Sequence, residues 1–320
     1  MQPLSDTLVV DFTRYLPGGY ASRELTRLGA RVVRVEPPRG DPMRPTATAW
    51  DTALRVGSES VVCDLPRDAP FARALCERAD VVLEGFRPGV AERLGIGPDD
   101  VPETTVYCSI TGFGGTGRHS LRAGHDVNYL GWAGVLEDAP EHLPPIQIAD
   151  LAAGALGAVT QVLAALLERH RTGRGARIVV SMTHRSHDLV AHRLGGEPVP
   201  KLLTGGLACY RVYATADGRH LTVGALEPKF FRRLCELLDL PDLADRQFDP
   251  DQEALAAELA AAFAARTLDA WLERLDDEDV CVGPVWTRAE AAAEFGSTES
   301  PGEVPLGAHT EAWRRELAVG

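Results

Sequence analysis

Apolar and polar positions follow one another in short blocks along the first half of the chain. Continuous apolar runs predict strands at residues 7–12, 31–36, 60–65, 80–84, 105–110 and 176–182. Apolar residues recur with the helical period at residues 20–28, 70–78 and 150–170. Strands that alternate with helices indicate a parallel sheet, and unbroken apolar strands fit burial on both faces. The sequence therefore predicts an α/β fold with a parallel sheet flanked by helices.

The composition shifts after the strand that ends at residue 182. Residues 184–209 are rich in polar residues, glycine and proline, which predicts a linker with one short helix. A hairpin then follows, with strands at residues 210–214 and 220–223. Helical periods mark residues 227–238, 251–266 and 268–275. We therefore expect a large domain over residues 1–183 and a small domain over residues 210–285.

The overall composition narrows the functional classes. The chain has 320 residues, 45% hydrophobic and 25% charged, which is ordinary for a globular protein. Its net charge of -13 argues against nucleic acid or an anionic membrane as a partner. Six widely spaced cysteines and the lack of an export-signal pattern favour a cytoplasmic protein. We expect no membrane span, because no apolar run approaches about 20 residues.

Two motifs suggest ligand sites, but their context argues against both. Gly112-Phe-Gly-Gly-Thr-Gly117 matches a dinucleotide-binding loop, yet no helical period follows it. A glycine-rich loop that lets a ligand approach the backbone is favoured instead. Four potential metal ligands are separated by three or four residues, a spacing that would place them near one face of a helix. They are His184, His187, Asp188 and His192. Because no tight metal-binding spacing is satisfied, we favour a solvated connector helix and expect no metal.

Four residues with acid/base side chains are ambiguous when each is taken alone. His125 and Asp126 precede an apolar run, where an aspartate often caps a helix and adjacent side chains diverge by about 100°. Asp150 opens the long apolar helix, at its positive end. Glu227 precedes a proline at a strand-to-helix turn. Each fits a structural role, and together they fit a catalytic site.

Together these segments resemble the family III CoA-transferases (CaiB/BaiF), and within them the α-methylacyl-CoA racemase branch. The resemblance covers almost the whole chain. It is carried by segments that include Val10-Asp-Phe-Thr-Arg-Tyr-Leu-Pro-Gly-Gly19, Glu84-Gly-Phe-Arg-Pro-Gly89, Gly124-His-Asp-Val-Asn-Tyr129, Arg171-Thr-Gly-Arg-Gly175 and Gly224-Ala-Leu-Glu-Pro228. The form G-H-D-x-N-Y is typical of the racemases, whereas related transferases usually lack the histidine.

The resemblance implies an architecture. The large domain is expected to be Rossmann-like and to contain both chain ends, so that residues 286–320 complete residues 1–183. The small domain is expected to be α+β. Two chains are expected to interlock as a homodimer.

The resemblance also implies a reaction, in which an acyl-CoA racemase moves a proton at the α-carbon of a 2-methylacyl-type thioester through an enolate. Two acid/base groups must flank that carbon. His125 and Asp150 are the expected pair, with Glu227 beside the histidine and Asp126 beside Asp150. No covalently bound cofactor is expected, because coenzyme A (CoA) is part of the substrate. The residues expected to bind CoA are Arg34, Arg39, Arg44, Arg87 and Gly124.

Departures from the family pattern keep alternatives open. The usual Lys/Arg-rich loop reads Arg55-Val-Gly-Ser-Glu-Ser60 here, so that cations are lost and Glu59 is expected to repel a CoA phosphate. The segment between residues 285 and 306 is also short. One alternative is a CoA-transferase in which Asp126 attacks the thioester. The other is a diverged member with another substrate or a binding role without catalysis.

Overall fold

A computed structural model describes the chain except residues 197, 199, 200, 276, 297–302 and 320. The chain forms two compact units, each with a hydrophobic core of its own. The larger unit comprises Met1–His192 and Thr298–Gly320, and the smaller unit comprises Arg193–Ser297.

Six parallel strands form the sheet of the larger unit. They are β1 (Leu8–Asp11), β2 (Arg31–Glu36), β3 (Glu59–Val62), β4 (Val81–Glu84), β5 (Val106–Thr111) and β6 (Arg177–Ser181). Their order is β3-β2-β1-β4-β5-β6, the doubly wound order of Rossmann-like folds. In the register, Val10 of β1 pairs with Val33 of β2 on one side and with Val82 of β4 on the other. The predicted α/β fold is confirmed, and the central strands are buried on both faces.

Helices cover both faces of this sheet. They are α1 (Tyr15–Arg27), α2 (Met43–Thr46), α3 (Thr48–Leu54), α4 (Ala69–Arg78), α5 (Val90–Arg93), α6 (Asp126–Trp132), a π-helix (Ala149–Leu156), α7 (Gly157–Thr172), α8 (Met182–Val190) and a 3-10 helix (Ala191–Arg193). One hydrophobic core lies on the face of the sheet to which Val9 contributes its side chain. This core contains Leu25 of α1 and Val162 of α7. The other contains Phe71 of α4 and lies on the face to which Val10 contributes.

The C-terminal helix (Thr310–Leu317) packs on β3 at the sheet edge. Trp313 is fully buried, its indole N–H donates to Glu59, and the guanidinium of Arg31 lies 4.2 Å from its ring centre. The N–H of Val62 donates to Oγ1 of Thr310 at 2.9 Å. The C-terminal segment is therefore part of the larger unit, and Glu59 helps to hold it there.

The helical stretch Ala149–Thr172 corrects our expectation about apolar runs. By length and composition it could cross a membrane, with a mean hydropathy of 1.6, and it alone among the described residues meets that criterion. A core helix of a soluble protein meets the same criterion. Ala149, Ala155 and Ala158 are fully buried, and the stretch packs on α1, α8 and β5. Leu156 and Leu167 of the same stretch are exposed, so these contacts bury only part of it.

An antiparallel sheet organises the smaller unit. Its strands β7 (Tyr210–Ala214), β8 (His220–Gly224) and β9 (Val282–Pro284) are neighbours in that order. The β7–β8 hairpin turns at Gly218, whose φ of +73° favours glycine. The helices are α9 (Pro228–Leu237), a 3-10 helix (Pro241–Arg246), α10 (Gln252–Phe263), α11 (Leu268–Leu275) and α12 (Arg288–Phe295). Phe231 and Trp271 lie in the core that these elements share.

Two of the element boundaries that differ from those predicted have a clear physical reason. Helix α1 begins at Tyr15 rather than at residue 20, because Pro17 is tolerated in a first turn, where its missing N–H would have no partner. Residues 184–190 belong to α8, which packs on α6 and the π-helix, whereas composition assigned them to the linker. The predicted limits of the two domains otherwise stay a prediction.

Candidate active site

A cavity of about 350 Å³ opens at the carboxyl end of the parallel sheet. Its walls follow β1, β4 and β5 and include the start of α6 and of the π-helix. Lining residues include Arg14, Tyr15, Phe86, Arg87, Gly112, Arg122, Gly124, His125, Tyr129, Asp150 and Met182. Strands β1 and β4 adjoin where the strand order reverses, and doubly wound folds bind their ligands at this point.

His125 lines this cavity and immediately precedes α6. Its backbone is extended, with φ -131° and ψ 177°, and its N–H donates to Oδ1 of Asn128 at 3.0 Å. The N–H of Asn128 donates in turn to the His125 carbonyl oxygen at 2.8 Å. His125 is exposed. An exposed imidazole in a cavity wall can exchange a proton with a bound ligand.

Asp150 lies in the first turn of the π-helix and lines the same cavity. Short π-helical turns are frequent at functional sites. Burial, and then the negative charge of Asp126, raise the pKa of Asp150 to about 7. A carboxyl group with this pKa is partly protonated at neutral pH, so it can either donate or accept a proton.

Asp126 is the first residue of α6 and is not among the described residues that line the cavity. Its Oδ1 accepts the backbone N–H of Asp150 at 2.9 Å. The neighbours His125 and Asp126 therefore have different partners, as their divergence on the helix predicts. This placement does not favour Asp126 as a nucleophile, because Asp150 is the carboxylate in the cavity wall.

Tyr129 ends the G-H-D-x-N-Y motif, but the sequence analysis assigned it no role at the site. It lines the cavity, is 7% exposed, and its hydroxyl donates to the Gly124 carbonyl oxygen at 2.5 Å. Burial, and then the charge of Asp150, raise the pKa of this hydroxyl. Its spacing of four residues from His125, on one helix face, was the available signal.

Glu227 belongs to the smaller unit, where it immediately precedes α9. Its carbonyl oxygen accepts the N–H groups of Phe230 and Phe231, at 3.0 and 3.1 Å. Its charge adds to burial in raising the pKa of Cys281. The expected pairing of Glu227 with His125 stays a prediction.

Two of the arginines expected to bind CoA are instead paired inside the protein. Arg34 is 2% exposed and forms ion pairs with Asp11 at 3.1 Å and with Asp41 at 3.5 Å. Arg44 donates to both carboxylate oxygens of Glu36, at 2.7 and 2.8 Å. These carboxylates already balance the charges of both arginines, so the structure does not favour Arg34 and Arg44 as ligands of CoA phosphates, and their predicted role stays a prediction.

Both arginines belong to a buried charge cluster at the carboxyl ends of β1 and β2. The cluster consists of Asp11, Arg34, Glu36, Asp41, Arg44, Asp51 and Arg55. Asp11 accepts the N–H of Thr13 at 2.7 Å, and Asp41 accepts the N–H of Tyr15 at 3.1 Å. The cluster therefore fixes the segment between β1 and α1 that forms one wall of the cavity.

Other cations do reach the cavity. Arg87 lines it, as expected, and so does Gly124. Arg14 and Arg122 also line it, although neither was among the arginines expected to bind CoA. Arg39 is exposed but lines neither this cavity nor the one beside it.

A second cavity, of about 370 Å³, adjoins the first, since Arg14 and Phe86 line both. Its remaining lining is mostly apolar and includes Phe12, Val35, Pro37, Leu65, Pro66 and Leu94. An apolar cleft with a cation at its entrance suits a planar group attached to phosphates.

Glu59 lies at the amino end of β3, away from the carboxyl end of the sheet at which both cavities open. The side chains of Arg31 and Trp313 donate hydrogen bonds to its carboxylate. This placement does not favour our expectation that Glu59 repels a CoA phosphate.

A third cavity has a volume of about 360 Å³ and lies where the glycine-rich loop after β5 meets the histidines of α8. Its lining residues include Phe113, Gly117, Trp132, His184 and His187. Each of these histidines has a local partner. The Nδ1 atom of His184 lies 2.7 Å from Oγ of Ser181, and that of His187 lies 3.0 Å from the Ala133 carbonyl oxygen.

The sequence model of the CoA-transferase family III matches residues 4–304. The chain belongs to CoA-transferase family III. Human alpha-methylacyl-CoA racemase is 35% identical over 302 residues, which cover 88% of this chain and 77% of that protein. The probable fatty acyl-CoA transferase Rv3272 of Mycobacterium tuberculosis is 32% identical over an alignment of 354 positions, which covers 97% of this chain and 89% of that protein. The crystal structure of Rv3272 superposes with a TM-score of 0.82 at 27% identity, over 98% of this chain and 99% of that one. Relatives thus include racemases and CoA-transferases.

Proposed function

We propose that this family member is an acyl-CoA racemase or epimerase that acts on a 2-methylacyl-type thioester. One observation carries the proposal: His125 and Asp150 line a single cavity, and the carboxyl group of Asp150 has a pKa of about 7. Two acid/base groups that can hold a proton at neutral pH are what this reaction needs.

The chemical step is a proton transfer at the α-carbon. One base removes the α-proton and leaves an enolate, and the conjugate acid of the other returns a proton to the opposite face. His125 serves one face and Asp150 the other. Burial, and then the charge of Asp126, raise the pKa of Asp150, so this carboxyl group can hold a proton at neutral pH.

The enolate oxygen needs hydrogen-bond donors as its negative charge develops. The first N–H groups of a helix have no intrahelical partner and lie at its positive end. Those of Asp126 and Val127 open α6, next to His125. In the proposed reaction they donate to the enolate oxygen, which lowers the barrier to its formation.

The CoA part of the substrate extends away from these bases. Arg14 and Arg87 lie where cations can meet its phosphates, and the apolar second cavity beyond Arg14 can take its planar base. CoA is bound only as part of the substrate, with no covalent cofactor.

Three further features complete the proposal. Two chains form a homodimer, and Glu227 keeps its predicted role as the acidic partner of the catalytic histidine. The protein acts in the cytoplasm, where its six cysteines, all of them free, stay reduced.

A CoA-transferase is the second candidate, since Rv3272 carries that name and Asp150 offers a carboxylate to the cavity. In that reaction Asp150 attacks the thioester carbonyl carbon, the CoA thiolate leaves, and an acyl anhydride forms on the carboxylate. His125 has no necessary part in this step, which is why we favour the racemase. A diverged member that binds a thioester without turnover is the third candidate.

Exchange in deuterium oxide distinguishes these candidates. We expect a 2-methylacyl-CoA to gain deuterium at the α-carbon and to lose its stereochemical purity. Transfer of CoA to an added carboxylate without α-exchange would establish the transferase. Binding with neither reaction would establish the non-catalytic member.

A further inference from the structure

The peptide group between Gly124 and His125 is held at both of its polar ends. Its carbonyl oxygen accepts the hydroxyl of Tyr129 at 2.5 Å, and its N–H donates to Oδ1 of Asn128 at 3.0 Å. With this peptide group held, the φ angle of His125 sets the direction of its Cα–Cβ bond and so the place of the imidazole in the cavity. Two side chains of α6 thus fix the orientation of the residue just before the helix.

The ring of Tyr129 is itself wedged between two glycines. A Cβ atom on Gly112 would lie 2.6 Å from the ring, and one on Gly124 would lie 2.7 Å from it. Phe113 packs edge-on against the ring at 5.3 Å between centres. Gly112 is held as well, because N–H and Oγ1 of Thr183 both donate to its carbonyl oxygen, at 3.0 and 2.7 Å. The hydroxyl of Tyr129 therefore has a fixed position set by the loop after β5.

We propose that Tyr129 is a positioning residue, which acts through the Gly124 carbonyl to hold His125 on its face of the substrate. The inference rests on the proposed function and adds a residue to it. Burial raises the pKa of the hydroxyl, so Tyr129 stays a hydrogen-bond donor over the neutral range rather than acting as an acid or base itself. Asp150 is held separately, through its N–H bond to Asp126.

Because different contacts hold His125 and Asp150, we expect loss of the Tyr129 hydroxyl to slow proton transfer on one face of the α-carbon only. Tyr129→Phe keeps the ring and removes the hydroxyl, so it releases His125 and leaves the Asp126–Asp150 contact in place. Small misplacements of a catalytic group cost up to about 100-fold in rate. We expect α-proton loss from the epimer that His125 deprotonates to slow by about 10- to 100-fold, and loss from the other epimer to change less than about threefold.

The test starts from each epimer of a 2-methylacyl-CoA separately and measures deuterium uptake at its α-carbon. The variant His125→Gln identifies the epimer whose exchange depends on the histidine. Tyr107→Phe is the matched control, because Tyr107 is also buried in the same unit and its hydroxyl donates to the Ile96 carbonyl oxygen at 2.9 Å. Equal slowing of both epimers, or none, would overturn the inference.

A second variant covers the case in which Tyr129→Phe folds poorly. Asn128 is exposed, so Asn128→Ala should fold, and it removes the other support of the same peptide group. We expect the same epimer to be affected, with recovery in Asn128→Asp, whose carboxylate still accepts the His125 N–H. A variant Asn128→Ala with unchanged selectivity would overturn the inference.

A readout without turnover separates this inference from the proposed function. In protein labelled with 15N-histidine, the ring signals of His125 are those lost in His125→Gln. We expect Tyr129→Phe to move them and Tyr107→Phe to leave them unchanged. If the unmodified protein shows no α-exchange, the proposed function fails, and the ring signals still decide the positioning role. Unchanged signals in Tyr129→Phe would overturn it.

Discussion

The buried charge cluster and the cavity lie at the same end of the parallel sheet, but their carboxyl groups are balanced in opposite ways. Burial tends to raise the pKa of Glu36, yet hydrogen bonds and charge from Arg44 and Arg55 outweigh it and hold that pKa at about 2. Burial also raises the pKa of Asp150, and there Asp126 adds to the effect, so that it reaches about 7. The sign of the neighbouring charge therefore decides whether a buried carboxyl group stays ionised or can hold a proton at neutral pH.

The comparison also separates two kinds of arginine. Those of the cluster face carboxylates within the protein and fix the wall of the cavity, whereas Arg14 and Arg87 line the cavity and can face a ligand. A charge that is already balanced contributes little to binding an anion. The local partner of an arginine, rather than its closeness to the site in sequence, assigns its role.

Removing an acid/base group from the cavity is expected to have the largest effect. We expect His125→Ala and Asp150→Asn each to lower racemisation of the cognate thioester by about 100- to 10,000-fold, because each residue alone serves one face of the α-carbon. Circular dichroism should show an unchanged fold. Near-normal racemisation in either variant would contradict the two-base assignment.

Breaking the buried charge cluster should instead affect stability. Arg34→Met removes the partner of two buried carboxylates, and we expect the free energy of unfolding to fall by about 3–5 kcal/mol. Urea unfolding measures this, with the exposed Arg39→Met as the control, for which a change within about 0.5 kcal/mol is expected. Similar changes in both variants would show that the cluster does not stabilise the fold.

The carboxyl group of Asp150 should destabilise the folded protein at high pH. Its pKa is raised on folding, so the folded state holds the proton more tightly, and this contribution to stability is present below about pH 4 and lost as the pH rises through 7. We expect Asp150→Asn to be more stable than the unmodified protein by about 1–3 kcal/mol at pH 8. At pH 4 the difference should vanish. A difference independent of pH would mean that the raised pKa is not its cause.

The sequence was sufficient for much of the fold and for part of the site. Unbroken apolar runs predicted the parallel strands, because burial on both faces requires apolar residues at every position. The residues His125 and Asp150 followed from the family resemblance, and both line the cavity.

The contacts between distant segments could not be predicted. Nothing near Arg34 in sequence shows that Asp11, on the neighbouring strand, pairs with it. Tyr129 fits the apolar period of α6 and so looks like a core residue, while its contact with Gly112 depends on how two loops meet. Charge and aromatic character are visible in a sequence, but the partner that gives them a role is a property of the fold.

The smallest expected effect is on the affinity for free CoA, and it compares an arginine that lines the cavity with an exposed arginine that does not. Arg87 lines the cavity, and no ion pair engages it within the described chain, so Arg87→Gln should weaken binding by about tenfold at low ionic strength. The difference should shrink in added salt, because exposed charges are screened over about 10 Å at 0.1 M. Calorimetric titration at two salt concentrations measures both effects.

Arg39→Gln is the matched comparison for this titration, since Arg39 is equally exposed but lines neither cavity. We expect it to weaken binding by less than about threefold, through long-range charge alone. If Arg39→Gln weakened binding as much as Arg87→Gln, the CoA phosphates would lie outside the two cavities. Arg87 would then lose its proposed role, while the acid/base assignment of His125 and Asp150 would remain to be judged by α-exchange.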